Sequence, residues 1–137
     1  MFGLTVGIDL VRTHSVAESV SAFGDRYLQR VFTDGEVAYA RAVPDLMHAR
    51  LAARFAAKEA TMKALDLGER GVGWRDIEVI RSPSGAPSIA LHGLAAAVHG
   101  ERGAPALSLS LSHEGEYATA VVVSLLLHHV PPGRISS

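Results

Sequence analysis

Two cations and a carboxylate lie close together in one helix-favouring stretch, Arg54 to Lys63, with the sequence RFAAKEATMK. Its Ala, Lys, Glu, Met and Arg residues are all good helix formers. Arg54 and Lys58 are four positions apart, so their charges share a helix face and repel by roughly a few tenths of a kcal/mol. Glu59 lies beside them. This arrangement suits a site for a metal ion and a phosphate-rich ligand, although a solvated face with a Glu59–Lys63 ion pair gives the same pattern.

Asp9 is a second unusual carboxylate, because it lies in the apolar segment TVGIDLV. The segment runs from Thr5 to Val11 and has strong β character. An aspartate inside such a run is costly to bury unless it is paired, hydrogen-bonded or bound to a metal. Strand alternation also permits Asp9 to point to solvent, on the face opposite Ile8 and Leu10. Both positions are compatible with the sequence.

The segment from Leu107 to Val123 has the pattern of a β-hairpin. Leucine and serine alternate from Leu107 to Ser112, which is typical of a half-buried strand. Residues 113–116 are predicted to form the turn, and residues 117–125 to return as a largely apolar strand. His113 is then a residue at the mouth of a hairpin, which by itself indicates no function.

Taken together and in this order, these segments resemble the small, single-domain phosphopantetheinyl transferases of the holo-acyl-carrier-protein synthase type. The matching motifs are Gly7-Ile8-Asp9-Leu10, Arg54 through Ala64, and Leu109-Ser110-Leu111-Ser112-His113. The turn Ser84-Gly85-Ala86-Pro87 and the run from Arg26 to Glu36 are similar to two further family segments. The resemblance extends from about Val6 to about Val123, and the helix motif is its most specific part.

The resemblance implies transfer of the phosphopantetheine arm of coenzyme A to a serine of an apo acyl carrier protein, with adenosine 3′,5′-bisphosphate leaving. Such a transfer needs a divalent cation, positioned cations for the phosphates and a proton acceptor. Mg²⁺ prefers oxygen ligands and keeps several waters, so one or two carboxylates suffice. By the resemblance, Asp9 and Glu59 bind Mg²⁺, and Lys63 contacts phosphate and stabilises transition-state charge. Either Glu59 or a metal-bound water takes the serine proton.

The resemblance also implies which residues contact coenzyme A. These positions are Arg54, Lys58, Gly85, Pro87, Ser112 and His113. Arg54 and Lys58 are expected along the phosphates, so that a shared anion offsets their repulsion. Gly85 lies in a turn near the adenine, where a missing side chain allows close approach, and the serine–histidine pair lines the nucleotide pocket. Before the helix the chain departs from the family pattern, since only His48 and Arg50 could meet the 3′-phosphate.

The surface for the carrier protein also departs from that pattern. The family's first helix usually has several arginines, whereas residues 13–23 contain Glu18 and no basic residue except His14. Basic contacts are left to nearby arginines, with an aromatic residue as apolar anchor, and we predict weaker or different carrier selectivity. The expected docking residues are Arg12, Phe23, Arg26, Tyr27 and Arg30.

Composition narrows the class of protein. The 137 residues fit one domain with a modest core. A hydrophobic content of 48% and a mean hydropathy of +0.21 are high for a small monomer and suggest an oligomeric interface. The net charge of -1 argues against general nucleic-acid binding. The chain has no cysteine, so no disulfide or thiolate site is possible. With no signal peptide and no membrane-spanning run recognised, a cytoplasmic protein is expected.

The predicted fold is a single α+β domain over residues 1–127, with a small, mostly antiparallel sheet packed against a long central helix. A helix is predicted over 13–23, capped by Thr13 or Ser15, and another over 33–42, opened by a Thr33–Glu36 capping box, with a turn or helix over 25–32 between them. The central helix is expected to begin after an Asp45 cap and to end near Leu67. A strand around residues 77–80, another over 89–91 and a short helix over 94–99 precede the hairpin. Residues 128–137 are polar and contain prolines, so a frayed tail is expected.

The oligomeric state and two alternative functions stay open. The family resembled is typically trimeric with active sites shared between protomers, and the apolar strand Val121 to Leu127 would fit such an interface. An ordinary core is the alternative for that strand.

The chain could instead be a non-catalytic module that binds coenzyme A or a carrier protein. The presence of both Asp9 and Glu59 argues against that function. A metal-dependent phosphohydrolase acting on a nucleotide is a further alternative. The carrier's pathway, fatty acid or polyketide synthesis, and the acceptance of acyl-coenzyme A are not specified by the sequence.

Overall fold

The computed structural model describes residues 2–127, which form five strands and five α-helices. In chain order the elements are β1 (Phe2–Arg12), α1 (Thr13–Phe23), α2 (Asp25–Val31), α3 (Asp34–Arg41), a 3-10 turn (Pro44–Leu46), α4 (Met47–Leu65), a second 3-10 turn (Trp74–Asp76), β2 (Ile77–Arg81), β3 (Pro87–Leu91), α5 (Gly93–Glu101), β4 (Ala106–Glu114) and β5 (Tyr117–Leu127). The predicted tail, residues 128–137, lies outside the described residues.

The strands form two antiparallel sheets. The larger has the order β1-β5-β4, and β2 pairs with β3 in the smaller. In the larger sheet Ala120 of β5 lies between Asp9 of β1 and Leu111 of β4. The predicted α+β fold, with antiparallel strands around a long central helix, is confirmed.

The central helix α4 packs directly on the backbone of β1. Much of its buried side is alanine, including Ala56 and Ala60, which are fully buried. A Cβ atom at Gly7 would lie 1.9 Å from the carbonyl oxygen of Ala60 and 2.8 Å from the backbone nitrogen of Ala64. The Thr5 hydroxyl donates a hydrogen bond to the Ala64 carbonyl at 2.7 Å. Small residues on both elements therefore let helix and strand approach closely, immediately beside Asp9.

The opposite face of β1 is apolar and uncovered. Leu4, Val6, Ile8 and Leu10 are between 60% and 64% exposed. We call these four residues the outer stripe. The interface was predicted on Val121 to Leu127 of β5. Val121, Val123 and Leu125 pair with Ile8, Val6 and Leu4, so these β5 residues lie on the same face as the outer stripe, and α4 covers the other side of the sheet.

Several element boundaries differ from the predictions. The Thr33–Glu36 capping box is confirmed, with both reciprocal hydrogen bonds present. The predicted Asp45 cap is wrong, since Leu46 precedes α4 and makes no side-chain cap bond. Neither Thr13 nor Ser15 caps α1, whose N-cap position is Arg12. In the part of the chain that the structure describes, no helix combines the length and apolar character needed to cross a membrane.

Candidate functional site

Asp9 faces the central helix. Its side chain is 19% exposed, and the ammonium nitrogen of Lys63 lies 3.3 Å from its Oδ1 atom. The same ammonium donates a hydrogen bond to the Ile8 carbonyl at 2.9 Å. Strand alternation therefore places Ile8 outward and Asp9 inward, and the alternative in which Asp9 points to solvent is wrong.

Glu59 lies beside Asp9 and Lys63, and we call these three residues the charged cluster. Burial raises the pKa of Glu59, the negative charge of Asp9 raises it further, and Lys63 lowers it. The two carboxylates are thus close enough to repel, although they come from positions fifty residues apart on β1 and α4. The hydrogen bonds of Lys63 go to β1. Within residues 2–127 Glu59 forms no ion pair, so the simple Glu59–Lys63 surface pair does not describe this helix face.

The cluster has the chemistry of a site for a hard cation. Carboxylate oxygens are the ligands that Mg²⁺ prefers, and a bound divalent ion would offset the burial and the repulsion from Asp9 that together raise the pKa of Glu59. Among the described residues no group of three or more His, Cys, Asp or Glu side chains could hold a metal. An ion held by Asp9 and Glu59 would therefore complete its coordination with water and substrate oxygens, which Mg²⁺ commonly does. The residues present fit such an ion.

Lys58 does not lie where it was predicted. Its side chain is fully buried, and its ammonium forms a 2.7 Å ion pair with Oε1 of Glu36. It also donates to the carbonyls of Trp74, at 3.1 Å, and Ile77. A lysine ammonium has three donors, and all three are used inside the protein. The prediction that Lys58 lies along the coenzyme A phosphates is wrong, because its charge is already compensated in the core.

Arg54 instead belongs to a cluster of guanidinium groups around one aromatic ring. The Cζ atoms of Arg50 and Arg54 are each 4.1 Å from the ring centroid of Tyr39, and that of Arg81 is 5.0 Å away. Arg54 is 3% exposed, and its Nε atom is buried without a hydrogen-bond partner within the described chain. Burial lowers the pKa of Arg54. We call these four residues the arginine–tyrosine cluster, and its concentrated positive charge suits an anion rich in phosphate.

The turn that contains Gly85 is connected to this cluster. Gly85 has φ +86°, a conformation that favours glycine. Arg81 Nη1 donates a hydrogen bond to the Gly85 carbonyl at 2.6 Å, and Pro87 begins β3 two residues later. A cavity of about 190 Å³ is lined by residues that include Tyr39, Arg54 and Arg81. Gly85 is therefore linked to the arginine–tyrosine cluster through Arg81.

Ser112 and His113 are not joined to either cluster. β4 continues to Glu114, so His113 is a strand residue opposite Ala118, and the predicted four-residue turn is shortened to Gly115 and Glu116. Both side chains are exposed, and neither forms a hydrogen bond within the described residues. Adjacent strand positions point to opposite faces of a sheet. The two side chains consequently do not line one common pocket within a single protomer.

Four of the five predicted docking residues lie together. A surface cavity of about 260 Å³ between α1 and α2 is lined by Ser19 and those four residues: Phe23, Arg26, Tyr27 and Arg30. Phe23 is 61% exposed. Arg12 lies apart, with its guanidinium 5.8 Å from the ring centroid of Tyr117, and lines a different hollow.

Sequence reasoning missed Tyr39, Arg81 and Glu36 as parts of this region. Tyr39 and Arg81 lie outside every motif that carried the resemblance, so no local signal distinguished them. Glu36 was recognised as a capping residue and as the end of a segment similar to one of the family's, but not as the buried carboxylate that pairs with Lys58. The weak signal available was the unusual density of basic residues at 50, 54 and 58, which calls for a compensating group elsewhere.

Comparisons with known proteins show the family to which the chain is related. The family described as the 4′-phosphopantetheinyl transferase superfamily matches residues 5–122. A holo-[acyl-carrier-protein] synthase of Koribacter versatilis is 46% identical over 121 residues, which are 88% of this chain and 96% of that protein.

Solved structures show the same relationship. The complex of a Chronobacterium ammoniagenes ACPS with CoA has a TM-score of 0.81 at 33% identity, covering 92% of this chain and 99% of that one. Helicobacter pylori holo-[acyl-carrier-protein] synthase in complex with coenzyme A has a TM-score of 0.75 at 30% identity, covering 87% and 98%. The resemblance drawn from the motifs is confirmed, and this chain belongs to the 4′-phosphopantetheinyl transferase superfamily.

Proposed function

We propose that this protein is a holo-acyl-carrier-protein synthase, which transfers 4′-phosphopantetheine from coenzyme A to a serine of an apo acyl carrier protein. Relatives of this name cover most of the chain, and two solved structures of similar fold contain coenzyme A. The observation that carries the proposal is the charged cluster at the β1–α4 contact. There Asp9 and Glu59 repel and Lys63 lies beside them, as expected of a site for a cation and phosphates.

In the proposed mechanism each residue of the charged cluster has a separate task. Asp9 and Glu59 would hold Mg²⁺. When bound, this ion would neutralise negative charge on the pyrophosphate of coenzyme A. Lys63 is oriented by the Ile8 carbonyl and the Asp9 carboxylate, so its ammonium is fixed before substrate arrives. It stabilises negative charge as the phosphate bond to the leaving group breaks. Because these hydrogen bonds already orient Lys63, its side chain need not move during the reaction.

The arginine–tyrosine cluster is the proposed receptor for the other phosphate groups of coenzyme A. Among the described residues nothing accepts a hydrogen bond from the buried Nε atom of Arg54, and Arg50 and Arg81 add positive charge around the same ring. Guanidinium groups bind phosphate oxygens in a fork geometry. Gly85 and Pro87 border this region and are proposed to contact the nucleotide. Ser112 and His113 remain proposed contacts only if a neighbouring protomer completes their surroundings.

The cavity between α1 and α2 is the proposed docking site for the carrier protein. It offers two arginines and two aromatic residues on an exposed surface. Guanidinium groups suit the acidic groups of a carrier, and the exposed Phe23, beside the half-buried Tyr27, suits an apolar anchor. Arg12, which lies in a different hollow, is proposed only as a peripheral contact.

A homotrimer with shared sites is the proposed assembly. The outer stripe exposes four large apolar residues in a row, which indicates an interface rather than a free surface.

Ile8→Glu would place a charge at the centre of the outer stripe. We expect sedimentation to show smaller species, and the transfer assay to show lower activity. A variant that stays assembled, or a wild-type protein that is monomeric at micromolar concentration, would contradict this assembly. The cytoplasm is the proposed setting.

The test of the proposed function is the mass of an apo carrier protein after incubation with coenzyme A, Mg²⁺ and this protein. A gain equal to one phosphopantetheine group, on a serine, supports the proposal. Binding of coenzyme A or carrier without a mass gain would indicate a non-catalytic module. Nucleotide cleavage without a carrier would indicate a hydrolase.

A further inference from the structure

Glu36 connects three separate elements through one buried carboxylate. The residue is 1% exposed. Its Oε1 atom accepts hydrogen bonds from the backbone nitrogen of Thr33 at 2.9 Å and from the ammonium of Lys58 at 2.7 Å. Its Oε2 atom accepts one from the backbone nitrogen of Val79 at 3.0 Å. The carboxylate therefore ties its own helix, α3, to the central helix α4 and to strand β2.

The same three elements supply the arginine–tyrosine cluster. Tyr39 lies one helical turn after Glu36 on α3, and Arg54 lies one turn before Lys58 on α4. Arg81 lies two residues after Val79 on β2. The bonds to Lys58 and Val79 are thus made within about one helical turn, or two strand residues, of a cluster member. A displacement at the carboxylate would move the guanidinium groups relative to the Tyr39 ring.

We infer that Glu36 is a positioning residue for nucleotide binding: it touches no substrate but fixes Tyr39, Arg54 and Arg81 in the arrangement that receives the phosphates of coenzyme A. This inference rests on the proposed function. A capping box alone would not require a carboxylate at position 36, since glutamine serves at that helix position as well as glutamate. The carboxylate uses both oxygens as acceptors, and Lys58 supplies its buried counter-charge.

Glu36→Gln separates the capping role from the positioning role. The amide keeps one acceptor oxygen, but its other end is a donor. In either orientation of the amide, its NH₂ group faces a group that donates a hydrogen bond to the native carboxylate, either Val79 N–H or the Thr33 N–H and Lys58 ammonium. We expect the dissociation constant for adenosine 3′,5′-bisphosphate, measured by calorimetry, to rise by about tenfold or more, as when positioning groups are displaced. The Michaelis constant for coenzyme A should rise with it, while that for the carrier stays within about twofold.

Val98→Ala provides the stability control. Val98 is fully buried in a separate cluster with Leu65, Leu67, Ile77 and Ala95. Its truncation should lower the melting temperature without changing nucleotide affinity. If Glu36→Gln lowers the melting temperature but leaves nucleotide affinity and the Michaelis constant for coenzyme A unchanged, Glu36 is only structural and the inference fails.

A paired variant covers the case in which Glu36→Gln does not fold. Glu36→Leu with Lys58→Met removes the buried ion pair as a whole, a change that often preserves stability. The bond to Val79 is still lost, so nucleotide affinity should stay low even where stability is regained. Recovery of affinity together with stability would overturn the inference. If the wild-type protein neither transfers nor binds the nucleotide, the proposed function fails as well; with an active wild type, only the role of Glu36 is at stake.

Discussion

Replacing Gly7 by alanine tests whether the close contact between β1 and α4 sets the geometry of the charged cluster. The added Cβ atom would lie 1.9 Å from the Ala60 carbonyl oxygen, whereas real Cβ atoms keep at least 3.0 Å from such a neighbour. Strand and helix must therefore separate by about 1.1 Å at this point, the difference between these two distances. Because all three atoms within 3 Å belong to the helix backbone, no side chain can rotate away to relieve the contact.

The expected effects are a loss of stability and a larger loss of activity. Overpacking of a tight contact costs about 1–3 kcal/mol, and backbone crowding places Gly7→Ala at the upper end. For a chain of this size about 4 °C of melting temperature is lost per kcal/mol. Asp9 lies on the strand, while Glu59 and Lys63 lie on the helix. A displacement of about 1 Å between them should lower kcat by about 10²-fold.

The assay compares kcat for carrier modification and the melting temperature of three proteins. Gly68→Ala is the matched control, because a Cβ at Gly68 meets nothing within 4 Å. We expect Gly68→Ala to behave as wild type. If Gly7→Ala also keeps the wild-type kcat at saturating coenzyme A and carrier, the contact between β1 and α4 does not position the charged cluster, and this reasoning is refuted. A loss of melting temperature alone, with unchanged kcat, would refute it equally.

Three further predictions concern other parts of the structure. Lys58→Met should lower the free energy of unfolding by about 3–5 kcal/mol in denaturant titrations, since the buried Glu36 carboxylate loses its counter-charge. Burial alone would raise the pKa of Glu78, but hydrogen bonds from Thr33 and a neighbouring histidine lower it below its ordinary value of 4.5. The stability from this ionised group is present above about pH 4.5 and is lost as the pH falls through the lowered pKa, so the melting-temperature gap between wild type and Glu78→Gln should close in acid. Arg26→Ala should raise the Michaelis constant for the carrier and spare that for coenzyme A.

Each of these predictions has a contradicting result. A Lys58→Met protein as stable as wild type would show that the buried pair contributes no net stability. A melting-temperature gap for Glu78→Gln that is constant from neutral to acid pH would contradict the hydrogen-bonded carboxylate. Unchanged carrier affinity in Arg26→Ala would remove the α1–α2 cavity as the docking site, and Arg41→Ala, on exposed α3 surface, is its control.

The local signals of the sequence predicted the elements well. Helix α1 has its predicted bounds, Thr13–Phe23, because its apolar spacing and the following Gly24 both act within a few residues. The capping box before α3 was recognised for the same reason. The proximity of Asp9 and Glu59 was predicted from motifs and is present in the structure, while their binding of Mg²⁺ stays a prediction.

The errors concern contacts between distant segments. Alternation in β1 indicates two faces but does not say which one the core covers, so the outward position of Ile8 could not be predicted. The charge of Lys58 is compensated by a glutamate 22 positions earlier, which no helix-face pattern contains. The ring of Tyr39 gathers arginines from two elements beyond its own, α4 and β2. Such pairings exist only once the chain is folded.

The most direct measurement of the central claim is Mg²⁺-dependent carrier modification by proteins that lack one carboxylate of the charged cluster. Asp9→Asn and Glu59→Gln keep side-chain shape while removing one negative charge each, and Asp34→Asn removes an exposed carboxylate elsewhere as control. We predict that both cluster variants fold but give no mass gain on the carrier at Mg²⁺ concentrations that saturate wild type, whereas Asp34→Asn is fully active. Full transfer by either cluster variant would contradict the account.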